Sequence, residues 1–215
     1  GDVSIADKIV HTGDTNTAIR FPSDDNVRID TAGSNRFKIV ADGRIGILDP
    51  NLDNFDSSAD DLVINGSANT GITINSGGTS STAEGALVFA EGNGSGGSAD
   101  GFRGAIQYKH GDDYMSFYTD NSERIRIDSS GRLLLGTTTE GHSSADDLTI
   151  ATSGSTGITI RTGTTNQGNI YFADGTSGTS EYAGLISYNH NTNHMFFVLM
   201  MVLKGFASHQ LAVLG

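Results

Sequence analysis

Glu123-Arg124-Ile125-Arg126-Ile127-Asp128-Ser129-Ser130-Gly131-Arg132-Leu133-Leu134-Leu135 is the stretch that decides the fold. Ile125 and Ile127 alternate with arginines, and Leu133 and Leu135 stand two apart beyond a polar gap. Successive side chains of extended backbone point to opposite sides, so period-two apolarity marks a strand with one apolar and one wet face. The gap at residues 128–132 holds Asp, Ser and Gly, with Gly131 placed for the positive φ of a tight turn. The stretch therefore predicts a β-hairpin whose buried face carries Ile125, Ile127, Leu133 and Leu135.

Working outward, the hairpin is one of a pair. Ser34-Asn35-Arg36-Phe37-Lys38-Ile39, ending in Gly43-Arg44-Ile45-Gly46-Ile47, matches Ser122 to Ile127 and Gly131 to Leu135. Other blocks recur as well. Ser57-Ser58-Ala59-Asp60-Asp61-Leu62 returns 86 positions on as Ser143-Ser144-Ala145-Asp146-Asp147-Leu148, and Thr70-Gly71-Ile72-Thr73-Ile74 returns at the same shift from Thr156 to Ile160. Leu87-Val88-Phe89-Ala90 matches Ile170-Tyr171-Phe172-Ala173, and Ile106-Gln107-Tyr108-Lys109-His110 matches Ile186-Ser187-Tyr188-Asn189-His190. The shift falls to 83 and then 80 across glycine-rich stretches, which marks those stretches as loops, because paired strands do not tolerate deletions. The organisation expected is an N-terminal β segment (1–33), a first module (34–121), a second module (122–198) and an atypical apolar tail (199–215).

The recurring blocks alternate: Leu62 with Ile64, Ile72 with Ile74, Ile106 with Tyr108, Met115 with Phe117. No twelve-residue window keeps apolar residues at helical spacing, so the chain is expected to be all-β. Glycine is 29 of 215 residues and proline only 2, a composition that favours many turns over a stiff linker. Each strand offers two or three apolar side chains, which is too few for a thick core and leaves strand edges open. The physical remedy is association, with repeats stacking along an axis or wrapping around copies of themselves. The net charge of −12 argues against a nucleic-acid partner. The absence of cysteine removes disulfides and thiolate metal sites. No charged-then-apolar leader follows Gly1, so no secretory signal is expected there.

The block at residues 1–25, GDVSIADKIVHTGDTNTAIRFPSDD, followed by the paired hairpins, resembles the tail-fibre and structural repeat proteins of marine phages, including cyanophages, over residues 1–198. The resemblance implies an elongated fibre of β-helix or β-prism type, an intertwined homotrimer, located in the virion and extracellular after release. It implies a structural shaft or spacer that supports attachment to the host, with further copies of the chain, other tail proteins and host-surface glycan as partners. Related fibres often end in a self-cleaving chaperone domain, and nothing here matches one.

From Leu199 the alternation stops, in LMMVLKGFASHQLAVLG, where the repeat calls for another Glu-Arg-Ile-Arg-Ile hairpin. Read one base back, codons for this tail permit NDGAERIRIASAGSVG, with the Glu at the required place. The tail is therefore expected to be a frame-shifted continuation, which the nucleotide sequence decides. A membrane anchor is not expected, because the apolar run at 195–203 is far short of the roughly 20 residues needed to span. A docking strand or helix is the remaining alternative.

Candidate chemistry is sparse. His110 and His190 occupy equivalent positions, and three copies of either near an axis would suit a metal ion, although polar turn histidines explain them as well. Asp60-Asp61 and Asp146-Asp147 have the charge to bind calcium, without any loop pattern that supports it. Glu84, Glu91, Glu123, Glu140 and Glu181 lie mostly in or beside loop-like segments and form no pair set apart from the repeat, so no catalytic residues and no enzyme are expected. No nucleotide-binding or hydrolase motif occurs, and no cofactor is expected. Among the aromatic residues, Phe117 and Phe172 are expected to fill the core, while Tyr114, Tyr118 and Tyr182 are candidate glycan contacts. Two further readings are a glycan-binding adhesin using loops 91–101 and 174–184, and a polysaccharide depolymerase.

Overall fold

The computed structural model describes residues 2–48, 51–66, 68–77, 82–92 and 101–199. Much of loop 91–101 and all but the first residue of the apolar tail lie outside these residues. The chain divides into two units, Gly1–Gly77 and Gly78–Gly215.

The first unit holds one six-stranded open sheet: β1 (Lys8–His11), β2 (Asp14–Arg20), β3 (Val27–Thr31), β4 (Ser34–Ile39), β5 (Ile45–Ile47) and β6 (Leu62–Ile64), neighbours in space in that same order. The first five strands form an antiparallel meander, and β6 then runs parallel to β5. The second unit repeats this plan in β7 (Glu84–Phe89), β8 (Gly104–Lys109), β9 (Tyr114–Thr119), β10 (Ser122–Ile127), β11 (Leu133–Leu135) and β12 (Leu148–Ile150). It then begins the plan again with β13 (Gln167–Phe172), β14 (Gly184–Asn189) and β15 (His194–Leu199). Short 3-10 turns at Leu52–Asn54 and Gly178–Tyr182 interrupt the β structure. The all-β expectation holds. The sheets are open, and no closed barrel or solenoid occurs among the described residues.

The deciding hairpin forms as expected. Ile125 pairs with Leu135, Arg126 with Leu134 and Ile127 with Leu133. Gly131 sits at φ 82°, and its amide donates to the Asp128 carbonyl at 2.9 Å. The hairpin between β9 and β10 turns on two residues, Asp120 and Asn121, both at positive φ. That geometry matches the natural twist of paired strands, and Asn and Asp tolerate it best after glycine. Arg124 is an extra residue in β10, and its carbonyl accepts the Gly136 amide at 2.9 Å. Arg36 does the same for Leu48 at the same distance. The bulge is thus part of the repeat.

Hydrogen bonding groups the strands in a different phase from the sequence modules. The boundary drawn between residues 121 and 122 separates β9 from β10, which are neighbours in one sheet. The sheets span residues 8–64, 84–150 and 167–199.

The alternation is present, but the assignment of its two faces is reversed within a single chain. Ile127, Leu133 and Leu135 are exposed and Ile125 is only half-buried. The opposite parity is covered instead: Ser116, Ala105, Gln107 and Leu134 are buried. The connection from β11 to β12 covers the Leu134 end of that side. A parallel pair needs a return segment, and this one folds over the Leu134 side, where the Gly141 amide donates to Thr149 Oγ1 at 2.9 Å. In the first sheet the equivalent cover is Leu52, 1% exposed, lying over Gly46. Phe117 and Phe172 are likewise not core residues of a lone chain: Phe117 is half-buried, and Phe172 is 57% exposed.

Candidate functional site

The feature repeated in each sheet is the uncovered apolar face. Pairing sets Ile9, Ile19, Ile29, Phe37, Ile47 and Ile64 side by side as one row across the first sheet. The same registers set Leu87, Ile106, Phe117, Ile125, Leu135 and Ile150 across the second. Ile170, Ile186 and Phe197 begin the row a third time. A parallel row beside the first holds Val27, Ile39, Ile45 and Leu62, matched in the second sheet by Met115, Ile127, Leu133 and Leu148. Every one of these residues is half-buried or exposed. Contiguous exposed apolar surface of this extent marks an interaction site in a folded protein.

The opposite faces change freely between the repeats. Arg20, Arg28, Lys38 and Gly46 of the first sheet stand where Gln107, Ser116, Arg126 and Leu134 stand in the second. In the first sheet, Arg28 Nη2 donates to Asp30 Oδ2 at 2.8 Å and Arg20 approaches the same carboxylate at 3.7 Å. In the second, Arg126 donates from Nε and Nη2 to Glu123 at 2.7 and 2.8 Å and stacks 3.7 Å above the Tyr114 ring. Apolar character is thus retained across the bare face, while several positions opposite it differ between the repeats.

The candidate residues fall into local structural roles. His110 and His190 each pack edge-on against a tyrosine two residues earlier, Tyr108 at 5.0 Å and Tyr188 at 4.8 Å. Each tyrosine hydroxyl donates into the following turn, to Asp113 at 3.0 Å and to Asn193 at 3.2 Å. The bond to a carboxylate raises the Tyr108 pKa. Among the described residues no group of three His, Asp or Glu is placed to hold a metal ion. One face of Tyr114 is taken by Arg126. Tyr118 packs edge-on against Phe102 at 5.4 Å, its hydroxyl donates to Glu123 at 3.4 Å, and burial is the main cause of its raised pKa. Tyr182 closes the second 3-10 turn, 6.4 Å from Tyr171.

The recurring aspartates, whose charge alone would suit calcium, hold arginines. Arg44 donates from its three nitrogens to Asp42 at 2.7 Å, Asp53 at 2.9 Å and Asp60 at 2.8 Å. This cluster floors an open depression of about 490 Å³ that Phe55, Ser57 and Asp61 also line. Arg132 repeats it with Asp128 at 2.7 Å and Asp146 at 3.0 Å. The arginine after each turn glycine is therefore clamped to the first aspartate of each Ala-Asp-Asp block, which ties the hairpin to the returning parallel strand. Their recurrence was visible in the sequence; their partnership was not, because they lie 14 to 16 residues apart.

The clamp is sensitive to acid. Burial alone would raise the Asp128 pKa, but the amides of Arg132 and Ser130 and the Arg132 guanidinium outweigh it and hold the carboxyl below its ordinary value. A depressed carboxyl pKa contributes stability that is present above the unfolded value and is lost as pH falls through the folded one. Acidification below the usual carboxylate range is expected to release the Ser130 and Arg132 amides together. Asp128→Asn should remove that transition from their NMR titration, and an unchanged titration in the variant would refute the assignment.

No protein-family model matches the chain, and no curated protein or solved structure matches it.

Proposed function

We propose that this chain is a structural shaft or spacer segment of a phage tail fibre, built from side-by-side copies of itself, three in number, and supporting attachment to the host. The observation that carries this reading is the bare apolar row, kept through each repeat while the covered face changes. An isolated open sheet cannot shield such a row, and identical chains offer an identical row to meet it. Each additional repeat lengthens the seam without requiring a new kind of contact, which suits a part whose task is reach and stiffness. Arginine clamps at each hairpin base and two-residue turns add local rigidity.

The test is the mass of the purified protein in solution by sedimentation or light scattering. Three times 22.5 kDa is the expected result. A stably folded species of 22.5 kDa would overturn the assembly and with it the shaft.

A further inference from the structure

The pentapeptide Thr70-Gly71-Ile72-Thr73-Ile74 recurs unchanged from Thr156 to Ile160, although the strands on either side of it have diverged. Each copy lies between one sheet and the next along the chain, after β6 and after β12. Its composition is that of a strand, with β-branched residues at four of five positions and period-two alternation. Yet residues 71–76 and 155–163 join no sheet. Among the described residues, the amides of Ile72, Thr73 and Ile74, and of Ile158, Thr159 and Ile160, donate to no backbone carbonyl. The apolar positions are open as well: Ile72 is 71% exposed and Ile158 69%. Ile160 and Thr162 lean over Gly168 of β13, their methyls 3.3 and 3.8 Å from where a Cβ would stand, while residues 155–159 stay exposed. A strand with unpaired edges and exposed isoleucines is a template for pairing with another chain.

We propose that these two connectors are inter-chain strands, each pairing parallel and in register with the same connector of a neighbouring copy. The inference rests on the side-by-side assembly proposed above and names the backbone through which the copies are joined. The occupant follows from symmetry. Copies related by rotation about a common axis bring identical residues to the same height, so an unshifted neighbour presents this pentapeptide to itself. The sequence suits that meeting: isoleucine falls beside isoleucine on one face and threonine beside threonine on the other, both favourable neighbours across paired strands. The bare sheet rows then supply apolar contact between copies, and the connectors supply hydrogen bonds between them.

The absence of cysteine gives a direct test. In Ile72→Cys the only available disulfide partner is the same residue of another copy. Under mild oxidation this variant is expected to form covalent dimers at least about tenfold faster than Ser129→Cys, which puts a thiol in an exposed hairpin turn. Hydrogen exchange on the unmodified full chain gives an independent reading, with the amides of 72–74 and 158–160 protected on the order of 100-fold or more over an unpaired segment. An assembled protein whose connectors exchange freely, with no preference for cross-linking at position 72, would overturn the inference and leave the assembly standing. A monomeric protein would remove both.

Discussion

Ile106→Lys combined with Phe117→Lys is expected to convert the assembled protein into folded monomers. The two residues are directly paired at the centre of the second sheet's apolar row. Fully burying an exposed large apolar side chain contributes about 1.5–3 kcal/mol, and with Ile106 38% exposed and Phe117 half-buried only about a third of that remains to be gained, about 1–2 kcal/mol for the two in each copy. At about 1.4 kcal/mol for each factor of ten, the lost contact alone weakens association roughly 5- to 30-fold, and the cost of burying two ammonium groups in an apolar seam adds the larger part. Both lie on the face opposite the fully buried Ser116 and Leu134, so the strand content of the circular dichroism spectrum should persist. Ser129→Lys adds the same kind of charge in an exposed turn and should leave the mass unchanged. A double variant that retains the parent mass would show that this face is not the seam.

The second large effect lies in the small covered cores. Leu134 and Leu52 are each 1% exposed and are the largest fully buried side chains described. Truncation of either to alanine is expected to cost about 2–5 kcal/mol. The pair is more informative than either alone. In the first sheet Gly46 leaves room for Leu52, whose Cδ2 would lie 3.1 Å from an added Cβ. In the second, Leu134 occupies the position equivalent to Gly46 and fills that side from the strand itself. Gly46→Leu should therefore destabilise the first sheet by about 1–3 kcal/mol through overpacking. Combined with Leu52→Ala it should recover much of that loss, with a coupling of about 1 kcal/mol or more in denaturant unfolding. Additive costs would mean that the two residues do not share one site.

These outcomes bear on what could be read from the amino-acid string. The hairpin at residues 122–135 was legible because alternation and a turn glycine are local facts, and both appear where expected. The bare row was legible as a set of residues, yet its covering was misassigned. Alternation reports that two faces differ; it does not report which one the chain's own connections will lie across. Here the return from β11 to β12 passes over the arginine side, and Leu134, flanked by two other leucines, gave no sign that it alone would be enclosed. The sheet phase was equally hidden, because a periodic string has a period but no marked beginning. Hydrogen bonding to β7 at one edge and β12 at the other supplies it. Of the candidate side chains, His110 and His190 repeat because they brace tyrosines, a role that needs two residues' spacing and a turn acceptor and is silent in a search for ligands.

The plan of the two complete sheets has a kinetic consequence. Every strand in them bonds only to the strands just before and just after it in the chain. Ordering each sheet therefore closes only short loops, and nascent chain leaving the ribosome need not wait for distant partners before it folds. The N-terminal sheet can be complete while later strands are still being synthesised. Its bare apolar row is then open to other chains, so on the assembly proposed above aggregation competes with association from the folding of one copy until it meets the next. On that proposal the local concentration of copies, more than the speed of any hairpin, is expected to set how long that interval lasts.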